Sequence, residues 1–151
     1  MTSSRKTLPA LIALAAILPF LPALNAPFLE WDDGLILTAN PHWRGLSPSN
    51  VRWMLTSLFG GHYQPLTWLS YALDYSLWGA NPAAMRATNF ALHAAGAALF
   101  FLIIDALIER ASPKSTPRER AFAAAFAALF WAVHPLRVES VVWLTERRDV
   151  L

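Results

Sequence analysis

Hydrophobic residues are concentrated in three runs along the chain, and the stretches between them hold nearly all of the charge. The runs cover residues 8–24, 88–108 and 121–133. As helices that rise about 1.5 Å per residue, the first two are long enough to cross a thin hydrocarbon core. The third is short for a span, but flanking arginines can snorkel to the interface. The pattern therefore predicts about three membrane-spanning helices, at residues 8–27, 88–108 and 121–134.

Two of these runs have an alternative interpretation. The first also fits a cleaved signal peptide, with Leu24-Asn25-Ala26 as a poor cleavage site. The third also fits a buried or re-entrant helix because it is short. We favour spans because the first run is followed by further hydrophobic runs.

The long stretch between the first two runs, residues 28–86, is rich in aromatic residues. Ser47-Pro48-Ser49-Asn50 predicts the start of a short amphipathic helix over 51–59, and a second helix is expected over 63–78. A leucine stripe follows one side of the second helix, with an aromatic stripe beside it. The leucines are Leu66, Leu69, Leu73 and Leu77, and the aromatic residues are Trp68, Tyr71, Tyr75 and Trp78. Such a helix suits the plane of a membrane interface, with its rings at headgroup depth, although an ordinary core-facing helix shows the same pattern. Asp74 is expected to be a solvated position on this helix.

Basic residues in the short segments predict the topology. Arg5 and Lys6 precede the first run, and the loop 109–120 carries Arg110, Lys114, Arg118 and Arg120. Lysine and arginine are enriched in cytoplasmic loops, so both segments are placed in the cytoplasm. The loop 28–86 and a second loop that begins at residue 135 then lie outside.

Composition supports a membrane protein and excludes several other classes. Hydrophobic residues make up 56% of the chain and charged residues 15%, whereas a soluble domain has about 25% charged residues. The net charge of +2, with no basic cluster among the aromatic residues, argues against nucleic acid binding. The absence of cysteine excludes disulfides and thiolate chemistry. We predict an all-α integral membrane protein with interfacial helices in its first external loop and membrane lipid as a partner.

Three acidic residues lie close together after the first run, in Glu30-Trp31-Asp32-Asp33-Gly34. Paired carboxylates can bind a divalent cation, or one of them can act as a general base whose pKa the other tunes. Asp-Asp-Gly also favours a turn, in which carboxylates accept local N–H groups. The residues alone leave both interpretations open.

A second polar block runs from His134 to Asp149 and includes Glu139 and the pair Arg147-Arg148. Pro135 suits the first turn of a helix. Adjacent arginines suit phosphate, because the guanidinium fork matches phosphate oxygens. The alternative is a solvated interfacial helix whose charges pair with each other.

Two smaller polar groups are candidates as well. His62 and Gln64 precede Pro65 at the start of the aromatic helix, where they could reach the carboxylates or simply form a helix N-terminus. Asn89 and His93 are polar groups four residues apart within the second run. Such residues usually face a bundle interior, for function or for interhelical hydrogen bonding.

In order along the chain, these segments resemble a known family. They are Trp-Asp-Asp at 31–33, His-Tyr-x-Pro-Leu-Thr at 62–67, Asn89 with His93, and the block from His134 to Leu151, which is the most specific part. Residues 28–151 are similar to the N-terminal part of membrane proteins with a GT-C glycosyltransferase core and C-terminal tetratricopeptide repeats, among them the eukaryotic transmembrane O-mannosyltransferases and bacterial relatives. Arg86 departs from the family, whose members often carry a histidine there.

The resemblance implies sugar transfer from a polyprenyl-phosphate donor to a protein or glycan acceptor outside the cytoplasm, in a bacterial inner membrane. The family's first motif falls on Asp32 and Asp33, one of which would take the acceptor's proton. Its second motif falls on His134, Glu139, Arg147 and Asp149. Arg147 or Arg148 would hold the carrier phosphate, with His62, Glu139 and Asp149 as further substrate contacts. A divalent cation is a candidate cofactor.

Three spans are too few for a GT-C core, so we expect an N-terminal fragment of such a domain that is inactive alone. The alternatives are a non-catalytic assembly module, or a transporter segment with Asn89, His93 and Asp105 along a path. Wide separation of the Asp32-Asp33 pair from the Glu146 to Asp149 block would favour these alternatives.

Overall fold

The computed structural model describes residues 4–151, with side chains from residue 7 onward, so the side chains of Arg5 and Lys6 lie outside the described residues. All regular structure in that part is helical, as predicted. The α-helices are α1 (Ser4–Ile17), α2 (Pro48–Thr56), α3 (Pro65–Trp78), α4 (Pro82–Ala111), α5 (Pro117–Ala132) and α6 (Arg137–Val142). Shorter 3₁₀ and π-helical segments cover Leu18–Ala23, Gly34–Thr38, Phe59–Gly61 and Leu144–Asp149.

Helix α4 is the central element, and α1 and α5 both pack along it. It begins at Pro82, where the Asn81 side chain accepts hydrogen bonds from the backbone N–H groups of Ala83 and Ala84. The contacts between the three helices use small side chains, which allow close approach of the backbones. Ala16, Ala97, Ala124, Ala128 and Ala132 are all fully buried there.

The three predicted spans do not have equal support. Within residues 4–151, α4 is the one helix long and apolar enough to cross a membrane by itself, with a mean hydropathy of 2.1 over its best window. The first apolar run changes from α1 to a 3₁₀ helix at Leu18, because Pro19 and Pro22 disrupt α-helical hydrogen bonding. Helix α5 has only 16 residues. The helical fold is thus confirmed, and the prediction of three spans is not.

The loop between α1 and α4 folds around its own aromatic core. Trp43, Trp68 and Tyr71 are fully buried, and the Trp43 indole donates a 3.0 Å hydrogen bond to the Leu37 carbonyl. Most leucines of the α3 stripe face outward instead; Leu66 and Leu77 are both more than 60% exposed. Trp68 and Tyr71 therefore fit the core-facing alternative, and the depth of the α3 rings relative to a membrane stays a prediction. Trp78 at the helix end is exposed.

Arg120 closes the loop between α4 and α5. Its guanidinium donates to Glu109 at 2.8 Å and to the Ser115 carbonyl at 3.1 Å, and it lies 3.7 Å from Asp105. Thr116 and Glu119 form a reciprocal capping box at the start of α5. These contacts fix the end of the α4–α5 pair that lies away from the aromatic core.

Candidate functional site

Two polar segments that lie far apart in the sequence meet at a small cavity, which we call the polar cavity. It has a volume of about 170 Å³. Its walls come from the acidic loop, the turn before α3 and the 3₁₀ segment Leu144–Asp149. The lining residues are Asp32, Leu35, Ile36, Phe59, Gly60, His62, Gln64, Thr145, Glu146 and Arg148. Three of the groups predicted from the sequence are thus brought together.

The two adjacent aspartates occupy different environments. Asp32 is exposed and lines the polar cavity. Asp33 is fully buried behind it, where Oδ2 accepts a 2.9 Å hydrogen bond from the Leu29 N–H. Burial raises the pKa of Asp33, and the increase is opposed by hydrogen bonding to Leu29 and Thr145 and by the charge of Arg86. Only Asp32 is open to a ligand in the cavity.

Arg148 is the accessible cation of the polar cavity. Its guanidinium donates to both carboxylate oxygens of Glu146 at 2.9 Å and lies 3.9 Å from Asp149. Asp149 does not line the polar cavity; its carboxylate accepts from the Ser140 hydroxyl at 3.2 Å. An anion in the cavity would meet a positive charge already balanced by Glu146, so binding at Arg148 would require displacement of that carboxylate.

Glu139 lies on a neighbouring surface, not in the polar cavity. Two cavities of about 530 and 420 Å³ share Leu29, Glu139 and Trp143 as wall residues, and together we call them the apolar groove. Trp31 lines the larger of the two and makes an edge-to-face contact with Trp143, with ring centroids 6.5 Å apart. Apart from Glu139 and Glu30, the lining of the groove is hydrophobic or aromatic.

Arg147 points away from the polar cavity and is fully buried. Its guanidinium donates to Asn89 Oδ1 at 2.7 Å, to the Met85 carbonyl at 2.7 Å and to the Ser70 hydroxyl at 3.2 Å. It also lies 2.6 Å from Asp74 Oδ2 and over the face of Tyr71. The structure therefore shows Arg147 occupied by protein groups, and of the two arginines only Arg148 faces the cavity.

The partner of Arg147 corrects a further expectation. Asp74 was expected to be a solvated position on α3, but it is only 5% exposed. Its other oxygen, Oδ1, accepts a 2.7 Å hydrogen bond from the Thr88 hydroxyl. The expectation was wrong because the arginine that pairs with Asp74 is distant in sequence and gives no local signal.

Three polar residues on one face of α4 hold the chain that leads to the cavity. Arg86 Nε donates to the Val142 carbonyl at 3.1 Å, Asn89 to that of Val141 at 3.2 Å, and His93 Nε2 to that of Ala132 at 3.0 Å. Arg86 also donates to the carbonyls of Ala26 and Pro27. The structural alternative for Asn89 and His93, interhelical hydrogen bonding, is therefore the one observed. Sequence analysis missed the role of Arg86, although its spacing of three from Asn89 placed it on the same helix face.

The remaining candidates have local roles. His134 Nδ1 accepts a 3.3 Å hydrogen bond from the Leu136 N–H at the turn before α6.

Within residues 7–151, no group of three or more His, Cys, Asp or Glu side chains converges as a metal site. The lining of the polar cavity has two carboxylates, Asp32 and Glu146, and Arg148 already occupies both oxygens of Glu146, so these residues do not fit the suggested divalent cation.

Comparison with known proteins identifies the class of protein that the chain is similar to, namely glycosyltransferases. The chain is 31% identical to protein O-mannosyl-transferase TMTC1 of Homo sapiens over 94% of its length, and 33% identical to protein O-mannosyl-transferase Tmtc1 of Drosophila melanogaster over 91%. It is 28% identical to protein O-mannosyl-transferase TMTC2 of Mus musculus. The similarity supports a relationship between this chain and these O-mannosyl-transferases.

The match has clear limits. The chain spans about 16% of the length of human TMTC1 and 15% of mouse TMTC2. No family model and no solved structure matches it. The relatives come from human, mouse and fly, so they give no support to the prediction of a bacterial inner membrane.

Proposed function

We propose that the chain forms part of a membrane glycosyltransferase that moves a sugar from a polyprenyl-phosphate donor to a hydroxyl of a protein or glycan on the non-cytoplasmic side. The observation that carries the proposal is the polar cavity, because Asp32 and Arg148 both line it. Wide separation of the acidic pair from the second polar block would have favoured an assembly module or a transporter segment. The similarity to protein O-mannosyl-transferases supports mannose as the first sugar to test.

The reaction needs a base for the acceptor and a partner for the leaving group. The acceptor oxygen attacks the anomeric carbon, the bond from that carbon to the phosphate oxygen breaks, and the hydroxyl proton passes to a carboxylate. We assign that carboxylate to Asp32, because it lines the polar cavity while Asp33 is buried behind it. A general base of this kind contributes roughly 10²–10⁴-fold in rate.

The departing polyprenyl phosphate carries negative charge, which a fixed cation stabilises. Arg148 is the cationic side chain among the residues that line the polar cavity. Its exposed guanidinium can exchange Glu146 for a phosphate, which accepts two parallel N–H bonds in the same way as a carboxylate. His62 and Gln64, which also line the polar cavity, supply polar contacts for sugar hydroxyls.

Glu139 and Asp149 are assigned outside the reacting centre. Asp149 lies 3.9 Å from Arg148 and helps to orient it. Glu139 stands in the apolar groove beside Trp143, where a donor that extends from the polar cavity would pass it. The GT-C core and tetratricopeptide repeats implied by the resemblance belong to this proposal as well, as features of the whole gene product.

The test is transfer of labelled mannose from polyprenyl-phosphate mannose in membranes that carry the whole gene product. Asp32→Asn should lower the transfer rate by roughly 10²–10⁴-fold without lowering expression. Glu119→Gln is the control, because Glu119 is an exposed carboxylate at the start of α5, away from the polar cavity and the apolar groove, and glutamine can keep its capping contact with Thr116. Near-normal transfer by Asp32→Asn and Asp33→Asn, singly and combined, would leave the acidic loop as a structural turn.

A further inference from the structure

The 3₁₀ segment Leu144–Asp149 supplies one wall of the polar cavity but has little regular structure of its own. Glu146 departs from helical geometry, with φ −89° and ψ 15°. Its backbone N–H donates to the Trp143 carbonyl at 3.3 Å, and the Val150 N–H that follows the segment donates to the Arg147 carbonyl at 3.1 Å. A segment this short and irregular does not hold its own position, because isolated helical turns are unstable. Contacts with the rest of the protein must therefore fix Glu146 and Arg148.

The contacts that fix the segment are concentrated on one side chain. Arg147 lies between Glu146 and Arg148 in the sequence, and it alone of the three is fully buried. Its guanidinium binds α3 through Asp74 and Ser70, and α4 through Asn89 and the Met85 carbonyl. One arginine therefore ties the segment to two helices at once.

We propose that the buried Asp74–Arg147 ion pair is a positioning device that holds Glu146 and Arg148 in the polar cavity; this inference rests on the proposed function. Asp74 is itself fixed, because Thr88 on α4 donates to its second oxygen at 2.7 Å. A neighbouring anchor acts in the same direction, since the Tyr71 hydroxyl donates to the Leu144 carbonyl at 2.5 Å. Arg147 is a positioning residue that acts through Arg148, and not a phosphate ligand.

The geometry separates this role from general packing. The guanidinium fork of Arg147 meets Asp74, Asn89 and Met85 in different directions, which fixes its orientation as well as its depth. Because Arg148 follows directly in the chain, a change in that orientation is passed to the Arg148 backbone. Loss of the ion pair should therefore move the cavity wall even where the protein remains folded.

The first experiment measures the wall directly and does not depend on sugar transfer. Residues 1–151 contain no cysteine, so H62C and R148C introduce the one cysteine pair within this part of the gene product, on two walls of the polar cavity. A short bismaleimide should cross-link this pair in membranes that carry the whole gene product. Adding Asp74→Asn should lower the yield several-fold. Adding Arg120→Met should not, although it removes a similarly buried arginine that pairs with Glu109 at the other end of α4.

A milder variant keeps the test decisive if Asp74→Asn does not accumulate. Arg147→Lys keeps a charge for Asp74 but cannot also reach Asn89 and Met85, so it should give an intermediate yield. Unchanged cross-linking in both variants, or an equal loss in Arg120→Met, would overturn the positioning role.

The second experiment asks whether the pair acts through Arg148. Asp74→Asn should lower kcat of sugar transfer, and the double variant Asp74→Asn/Arg148→Gln should be no slower than Arg148→Gln alone. Additive losses would mean that the pair only stabilises the fold, and would contradict the proposal. If Asp32→Asn and Arg148→Gln both leave transfer intact, the proposed function fails, and the cross-linking result still decides the positioning role.

Discussion

The carboxylate of Asp33 is buried, and polar contacts only partly compensate for its loss of solvation. Its Oδ2 accepts from the Leu29 N–H, and hydrogen bonding to Thr145 adds to this compensation. Arg86 contributes an opposing charge from α4. Burial disfavours the ionised carboxylate by more than these groups favour it, which is the origin of the raised pKa of Asp33. The protonation of Asp33, which lies directly behind the proposed base, therefore links the stability of the fold to pH.

This burial predicts how stability depends on pH. Below the ordinary pKa of 3.8 the Asp33 carboxyl is protonated in both the folded and unfolded chain. As the pH rises from there through the raised folded pKa, the unfolded chain loses a proton that the folded chain keeps, so the free energy of unfolding falls. In Asp33→Asn the amide oxygen can still accept from the Leu29 N–H. The amide does not ionise, so the variant lacks this fall in the free energy of unfolding. Melting temperatures in detergent between about pH 3.5 and about pH 7 should show wild type losing stability relative to Asp33→Asn. A constant difference across that range would contradict the burial argument.

The two adjacent pairs, Asp32-Asp33 and Arg147-Arg148, show what sequence could and could not supply. Residue types alone identified both pairs as candidates, since carboxylates and guanidinium groups carry the relevant chemistry. Within each pair the structure buries one member and exposes the other. Which member is buried depends on partners such as Leu29, Arg86 and Asp74. The spacing of the two pairs in the sequence does not indicate these partners. Burial and accessibility were therefore not predictable from the residues alone.

Helix α3 ends through a backbone geometry that only glycine tolerates well. Gly79 has φ 66° and ψ −160°, and its N–H closes the helix by donating to the Tyr75 carbonyl at 2.9 Å. The chain can then turn within a few residues to Asn81, which caps α4. The α3–α4 turn thus sets the relative placement of Asp74 and Asn89, which both contact Arg147.

Replacing this glycine should destabilise the fold. Gly79→Ala places a side chain at a φ and ψ combination that costs about 1–3 kcal/mol for residues other than glycine. Gly34→Ala is the control, because no heavy atom lies within 4 Å of its added Cβ and its φ is not positive. Thermal unfolding in detergent should show a clear loss for Gly79→Ala and little change for Gly34→Ala. Equal melting temperatures for the two variants would refute the role given to Gly79.

Element boundaries were predicted best where the sequence carries explicit start signals. The expected helix starts near Ser47 and Pro65 lie close to the observed starts of α2 and α3. The direction of the α3 faces was predicted less well. The leucine stripe and the aromatic stripe have similar hydrophobicity, so either could face the core. The aromatic face is buried, and the Tyr71 hydroxyl donates to the Leu144 carbonyl there. Periodicity gives the helix, but the choice of face depends on a contact 73 residues away.

The whole molecule has a polar clamp at each end of α4 and apolar surface between them. Arg86 holds the chain near Ala26 and Val142, and Arg120 holds the turn near Asp105 and Glu109. From Arg86 to Asp105, α4 rises about 30 Å, which matches the hydrocarbon core of a bilayer. The surface between the clamps includes Leu99, Ile103 and the ridge Phe122, Phe126 and Phe130, all more than half exposed. The arrangement supports the placement of the aromatic core and the polar cavity on one side of a membrane and the Arg120 loop on the other.

This placement predicts which positions are reached from outside the cell or organelle. The chain has no cysteine, so each introduced cysteine is labelled without background. Ser49→Cys in the first turn of α2 and Leu136→Cys before α6 are exposed on the side of the polar cavity, and both should react with a membrane-impermeant maleimide. Ser112→Cys is equally exposed but lies beside the Arg120 clamp, so it should react only after the membrane is permeabilised. Asn40 and Ser140 lie in the same two loops, but both are buried, so they are unsuitable positions for an introduced cysteine. Labelling of Ser112→Cys in intact membranes, with protection of the other two, would reverse the orientation and place the polar cavity in the cytoplasm. Labelling of all three would mean that α4 does not separate its two ends across a bilayer, and that the proposed acceptor side must be abandoned.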